Sequence, residues 1–266
     1  MALREAPGPV WFDGELVAPD PVPSELGVLM GTALGISPAC HLRGDALLAE
    51  HLALLAQAAT ILGYEGVDAG ELRAALGEVP AGPTVVALVP GPAAHRATPP
   101  CAEWALVRWH GDDRPGGPID AALSSSPRNH LSPAAGVLLL DDTELLAGAR
   151  GARADGRNAC AWVDLDGRLS CIDQGTLVLR IDGRLVTPSA ACGAIRTAWR
   201  EALVTHGALD ERELVLDDLR RAESAACLEP WGAVRSIARV GDVELGGPTA
   251  AEALDALLAE LTGSRS

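Results

Sequence analysis

The stretch AWVDLDGRLSCIDQGTLVLRIDGRLVTPS, residues 161–189, decides the fold. It contains two Asp-Gly pairs, Asp166-Gly167 and Asp182-Gly183, and such pairs supply the positive-φ positions that tight hairpins require. Leu177–Ile181, between them, is an apolar run bounded by turn formers and reads as a buried strand. The spacing therefore predicts antiparallel sheet. Upstream, Thr143–Asp155 is an Ala/Arg/Leu helix and Ala159–Val163 a strand. Downstream, Ala194–His206 and Asp217–Ala226 read as helices, Val234–Val240 as a strand and Thr249–Leu261 as an amphipathic helix.

The N-terminal part has its own pattern. Trp11–Val17 encloses an Asp13-Gly14 hairpin turn, and the Leu/Ala-rich segment from Asp45 runs at helical spacing to Gly63, a plausible C-cap. A helix over Asp68–Leu76 and buried strands over Thr84–Val89 and Trp104–Trp109 follow. GDDRPGGP (111–118) and SSSPRNHLSP (124–133), separated by one short strand, are dense in turn formers and mark the connection between two lobes. The expected organisation is a smaller α/β domain over residues 1–118 and a larger domain with antiparallel or mixed sheet over 119–266. A chain of 266 residues is long enough for both to bury a core.

Composition narrows the function. The formal charge is −15 with no clustered basic stretch, which argues against nucleic acid or an anionic membrane as a partner. Six cysteines are scattered with no metal-ligand spacing, so no metal site and a reduced, cytoplasmic setting are expected. The N-terminal residues lack the apolar core of a signal peptide, and apolar runs such as Val137–Leu140 are too short to span a bilayer. All 21 basic residues counted as Lys plus Arg are arginine. A guanidinium stays protonated at any accessible pH, so no side chain here can form a Schiff base with an aldehyde.

FDGELV (12–17), the EHLxxL helix (50–55), SPxAG (132–136), AWVDLDGRL (161–169), DGRLVTPS (182–189), Arg200 and DLxxAE (218–223) occur in an order that resembles the class IV aminotransferase family. Within that family the resemblance is to the branch of 4-amino-4-deoxychorismate lyases and branched-chain aminotransferases. It implies an α/β (α+β), two-domain, D-amino acid aminotransferase-like fold of type IV, with the active site in a cleft between the lobes and completed by a second subunit of a homodimer.

Carried over by this resemblance, the family's functional positions are almost all altered. Its Schiff-base lysine falls at Leu138, and the glutamate that pairs with the pyridine nitrogen of pyridoxal phosphate (PLP) falls at Cys171. The motif that follows becomes Gly175-Thr176-Leu177-Val178, and the phosphate-binding arginine of the HLxRL helix becomes Leu54. The GxTR phosphate turn is read at Thr197-Ala198-Trp199-Arg200, where only the arginine is kept. Early segments correspond to Glu25-Leu26-Gly27 and Gly31–Ser37, with Ser37 alone keeping a hydroxyl. The expectation drawn from these changes is a protein with no cofactor, PLP included.

The candidate chemistry lies in what remains. Cys171 is a nucleophile or donor candidate with Asp173 two residues on, on the same face if the strand continues; the alternative is a small buried hydrophobe. His110, at the end of a strand, is the acid/base candidate, or else a solvent-facing loop residue. Arg128 and His130 are candidates for clamping a carboxylate, set against a solvated turn arginine. Ser37, Thr176 and Arg200 complete the substrate-binding candidates. The favoured expectation is a cofactor-free enzyme acting on a small carboxylate-bearing substrate by acid/base or thiol chemistry. A non-catalytic ligand-binding or subunit-partner protein and an enzyme holding PLP non-covalently are the alternatives.

Overall fold

The computed structural model describes residues 10–12, 15–17, 38–64, 66–78, 83–90, 104–110, 117–140 and 142–263. The chain divides into two compact units, Met1–Arg114 with Leu138–Asp141, and Pro115–Val137 with Asp142–Ser266.

The first unit carries a short hairpin of β1 (Val10–Phe12) and β2 (Glu15–Val17). It also carries an antiparallel three-stranded sheet of β3 (Ala39–Arg43), β4 (Pro83–Pro90) and β5 (Trp104–His110). Between β3 and β4 lie α1 (Leu48–Ile61) and α2 (Ala69–Leu76). Leu48, Leu52, Leu55 and Ala59 recur at helical spacing on α1 and join Cys40, Leu42, Val86 and Leu88 in the core. Asp68 fixes the start of α2 by accepting from Gly70 N at 2.7 Å.

The second unit is built on a nine-stranded sheet. Its strands are β6 (Ile119–Leu123), β7 (Ala159–Val163), β8 (Leu169–Ile172), β9 (Thr176–Ile181), β10 (Arg184–Pro188), β11 (Asp210–Arg212), β12 (Ser224–Leu228), β13 (Val234–Val240) and β14 (Val243–Glu244). The helices are α3 (Thr143–Ala154), α4 (Ala198–Thr205), α5 (Leu216–Arg221) and α6 (Thr249–Leu261). Pairing runs β11-β10-β9-β12-β13-β6-β7-β8, with β14 added on β13. Five strand steps separate β9 from β8, which in a flat sheet is about 24 Å. Only residues 173–175 connect the two strands, a span of at most about 15 Å. The sheet therefore curls, and the wholly buried Leu169, Ile172, Leu177 and Leu179 fill its interior. Each such side chain contributes about 1.5–3 kcal/mol by its burial.

Two helices expected from the sequence are shorter than the pattern suggested. Asp217–Ala226 is not one helix: α5 ends at Arg221, Ala222 is extended (φ −68°, ψ 133°), and Ser224–Leu228 is strand β12. The alanines suggested helix, but all five residues of β12 are buried between β9 and β13, and that pairing overrides propensity. The segment from Ala194 turns helical only at Ala198, because Gly193 (φ 74°) closes a 3₁₀ turn, Ala190–Cys192, ahead of it. Among the described residues no helix is long and apolar enough to cross a membrane.

Candidate active site

The 161–189 stretch folds into the hairpins β7-β8 and β9-β10, joined by the turn at 173–175. Asp164 organises the first turn. Its wholly buried carboxylate accepts from Asp166 N at 3.0 Å and from Arg168 N at 2.8 Å, and takes Arg168 Nε at 2.7 Å. His130 approaches from the loop after β6, with Nδ1 3.5 Å from Asp164 and Nε2 3.5 Å from Asp166. His130, Asp164 and Asp166 thus bring three potential ligand atoms within 4.8 Å of one another. The positive charge there is already supplied, since Arg168 contacts Asp164 at 2.7 Å and Asp166 at 3.0 Å.

Arg128 is buried. It is not a solvated loop residue, and its guanidinium is engaged, by Asp142 at 3.1 Å and by the Ala135 carbonyl at 3.1 Å. Among the described residues only Nε has no partner. Arg128 and His130 diverge, one to Asp142 and the other to Asp164 and Asp166.

Cys171 is wholly buried on β8. Burial pushes its thiol up to about 12, against the pull of nearby Arg128 and the Ser170 hydroxyl, so it is neutral at neutral pH and a poor nucleophile. Asp173 does not share its face. The strand stops at Ile172, and Asp173 (φ 46°) turns back to accept from Cys160 N at 3.0 Å. Thr176 opens β9 opposite Leu228, with a buried hydroxyl that has no partner among the described residues. The buried hydroxyl of Ser170 has no oxygen or nitrogen partner among them either and lies against the Cys171 thiol.

Arg200 is 1% exposed and donates to the Pro188 carbonyl at 2.9 Å, to Glu201 at 2.7 Å and to Glu211. Thr197 is the N-cap of α4 and accepts from Arg200 N at 3.2 Å, so Thr197–Arg200 are already the first turn of the helix. The glycine-led turn ahead of α4 is Gly193-Ala194-Ile195-Arg196, four residues before Thr197–Arg200. Ala194 and Ile195 are buried, and their N–H groups donate to no acceptor among the described residues. The signal was present as Gly-x-x-Arg directly after TPSAAC.

Leu138, Leu54 and His110 belong to the first unit. Leu138 is buried and its carbonyl accepts from Ala39 N at 2.8 Å; Leu54 is half-buried on α1; His110 closes β5 opposite Thr84. Ser37 lies outside the described residues.

The model of the amino-transferase class IV family matches residues 84–240, and the chain belongs to that family. No curated protein matches the chain. The fold is similar to the branched-chain aminotransferase of Thermoproteus uzoniensis with norvaline, at TM-score 0.78 and 18% identity, covering 97% of this chain and 96% of that one. The PLP-form (holo-form) branched-chain amino acid aminotransferase of Thermobaculum terrenum is 13% identical at TM-score 0.77, covering 98% and 96%. A protein described as a 4-amino-4-deoxychorismate lyase of Legionella pneumophila is 16% identical at TM-score 0.73, covering 86% and 92%.

These comparisons correct the expectation that the protein takes no cofactor. The family and its holo structures point to PLP. The residues of this chain fit that group by non-covalent contact only. The buried N–H groups of Ala194 and Ile195, unengaged among the described residues, suit a phosphate, and the buried Thr176 hydroxyl has no partner among those residues. The covalent link does not fit, because no lysine occurs in the sequence, and the neutral Cys171 is no substitute for a carboxylate at the pyridine nitrogen.

Proposed function

We propose that the protein is an enzyme of the class IV aminotransferase family that acts on a small amino or keto acid and holds PLP without a lysine link. The observation that carries this reading is the Gly193–Arg196 segment just ahead of α4, whose Ala194 and Ile195 N–H groups are buried and unengaged among the described residues. When bound, PLP supplies an electron sink for the carbon next to the amine. The chain's own part is binding and orientation. The Gly193–Arg196 turn takes the phosphate, and the Thr176 hydroxyl donates from the curled sheet. Cys171, neutral and buried, leaves the pyridine nitrogen without a charged partner. Arg128 presents Nε–H while its other nitrogens stay with Asp142 and Ala135, which suits one oxygen of a carboxylate rather than a two-pronged clamp.

Titration of the purified chain with PLP, followed by near-ultraviolet and visible absorbance, tests the reading. A saturable band that dialysis removes is expected, together with an unchanged intact mass after borohydride reduction. Norvaline, the ligand of the Thermoproteus relative, should perturb the band. Absence of saturable binding overturns the proposal and favours a non-catalytic homologue, and a borohydride-fixed adduct overturns the non-covalent mode.

A further inference from the structure

The loop after β6 meets the Gly193–Arg196 turn at both ends and spares its middle. At the first end, a Cβ built on Gly193 (φ 74°) would stand 3.5 Å from His130 Cα, 3.5 Å from His130 Cβ and 3.5 Å from Ser170 Oγ. The open side of this glycine therefore rests on His130. At the other end Arg196 N donates to the Gly136 carbonyl at 3.0 Å. Between the two contacts lie Ala194 and Ile195, both buried, with N–H groups unengaged among the described residues. Buried donors without acceptors are costly, so the turn needs outside support to keep this shape.

The loop is itself fixed. Arg128 N donates to the Val163 carbonyl at 2.8 Å, and the Arg128 guanidinium bonds the carbonyl of Ala135, the neighbour of Gly136. His130 is held by charge. Its Nδ1 and Nε2 stand 3.5 Å from Asp164 and 3.5 Å from Asp166, too far for strong hydrogen bonds but within ion-pair range. Only an imidazolium, a donor at both nitrogens, is attracted by both carboxylates. Asp164 is a fixed anchor, because its wholly buried carboxylate is tied to Arg168 and to the N–H groups of Asp166 and Arg168. The remaining charges at this end are Arg168, shared by the two acids, and Glu213 behind it at 3.1 Å.

We infer that His130 is a positioning residue for the Gly193–Arg196 turn: anchored on Asp164 and Asp166, it backs Gly193 and, with the Gly136 carbonyl, keeps the Ala194 and Ile195 N–H groups open to a phosphate. The phosphate's part in this rests on the PLP reading; the support of the turn does not.

Hydrogen–deuterium exchange of the ligand-free chain, read by mass spectrometry on peptides spanning 189–197, tests the support. The N–H groups of Cys192, Gly193 and Arg196 are bonded to carbonyls and report its opening. In His130→Ala their exchange should rise by about threefold, the effect of one partly exposed ion pair, while the curled sheet stays protected. His130→Arg restores a cation between the two acids and should return exchange to the parent's rate. PLP affinity, from the absorbance titration, should follow the same order, about threefold weaker in the alanine variant and recovered in the arginine variant. If His130→Ala fails to fold, Asp166→Asn removes the exposed half of the anchor and should give a smaller rise in the same peptides. A parent that binds no PLP, with a rise still confined to 189–197, defeats the PLP reading and leaves the support of the turn standing. Unchanged exchange over 189–197, a rise spread across the sheet, an arginine variant no better than alanine, or PLP bound equally by parent and alanine variant overturns the inference.

Discussion

One carboxylate, that of Asp142, ties Arg128 to the start of α3. Oδ2 accepts from Arg128 Nη1 at 3.1 Å while Oδ1 caps the helix by accepting from Leu145 N at 3.1 Å. The side chains are 4% and 9% exposed, so each charge depends on the other for its solvation. Arg128 also bonds the Ala135 carbonyl, and the pair therefore fixes the segment that leads from β6 to α3.

Arg128→Met should destabilise the chain by about 3–5 kcal/mol, because it leaves Asp142 buried without its partner. Adding Asp142→Leu should recover part of that loss. Urea denaturation followed by far-ultraviolet circular dichroism checks both. Equal stability of Arg128→Met and the parent would show that the pair contributes nothing.

Cys171 makes stability depend on alkaline pH. Its folded value, raised from 9.0 to about 12 chiefly by burial, means that the folded state holds the proton more tightly. The contribution is fully present below pH 9 and is lost as pH rises towards 12. Cys171→Ala should flatten the fall of the denaturation midpoint above pH 9. In the folded parent at pH 8, the residue should resist iodoacetamide, as mass spectrometry of the quenched protein would show.

The parts of this molecule that were legible in its sequence are those where local chemistry dictates structure. Asp166-Gly167 and Asp182-Gly183 announce their hairpins, because few residues take the positive φ seen at Gly167 (79°), Asp182 (51°) and Gly183 (73°). The order of motifs likewise conveyed the family. Strand β12 was not legible, since Ser-Ala-Ala-Cys-Leu lacks both alternation and β-branching, and only its place between β9 and β13 makes it extended. The turn into α4 was not legible, since Thr197 fits a helix cap as readily as a phosphate turn and only the structure puts Gly193 (φ 74°) ahead of it. The burial of Arg128 was not legible, because its partner Asp142 lies fourteen residues on, beyond any local pattern.

Asp120 gives the opposite pH dependence. It lies on β6 and receives Arg239 from β13 at 2.9 Å through Nε, with Arg157 also bound. The Arg239 bond leads in lowering its carboxyl from 3.8 to about 2. Its contribution is therefore present above pH 4 and is lost as pH falls through about 2. Asp120→Asn should lower stability at neutral pH and remove part of the acid dependence between those limits. Unfolding midpoints measured from pH 2 to pH 6 would show it, and parallel curves for parent and variant would refute the assignment.

Gly148 and Gly151 sit one turn apart on α3, yet they should respond oppositely to alanine. At Gly148 the added methyl would lie 2.3 Å from Trp162 Cζ2 and 3.1 Å from Cys160 Sγ, both on β7, so helix and strand would have to separate. Overpacking of that kind typically costs about 1–3 kcal/mol, more than the gain from replacing glycine in a helix. At Gly151 the methyl meets nothing within 4 Å, so only the helical preference remains. Gly151→Ala should therefore stabilise the chain by about 0.5–1 kcal/mol. Thermal unfolding of the two variants beside the parent separates these effects: midpoints shifted in opposite directions are expected. A Gly148→Ala variant as stable as the parent would mean that α3 does not press on Trp162.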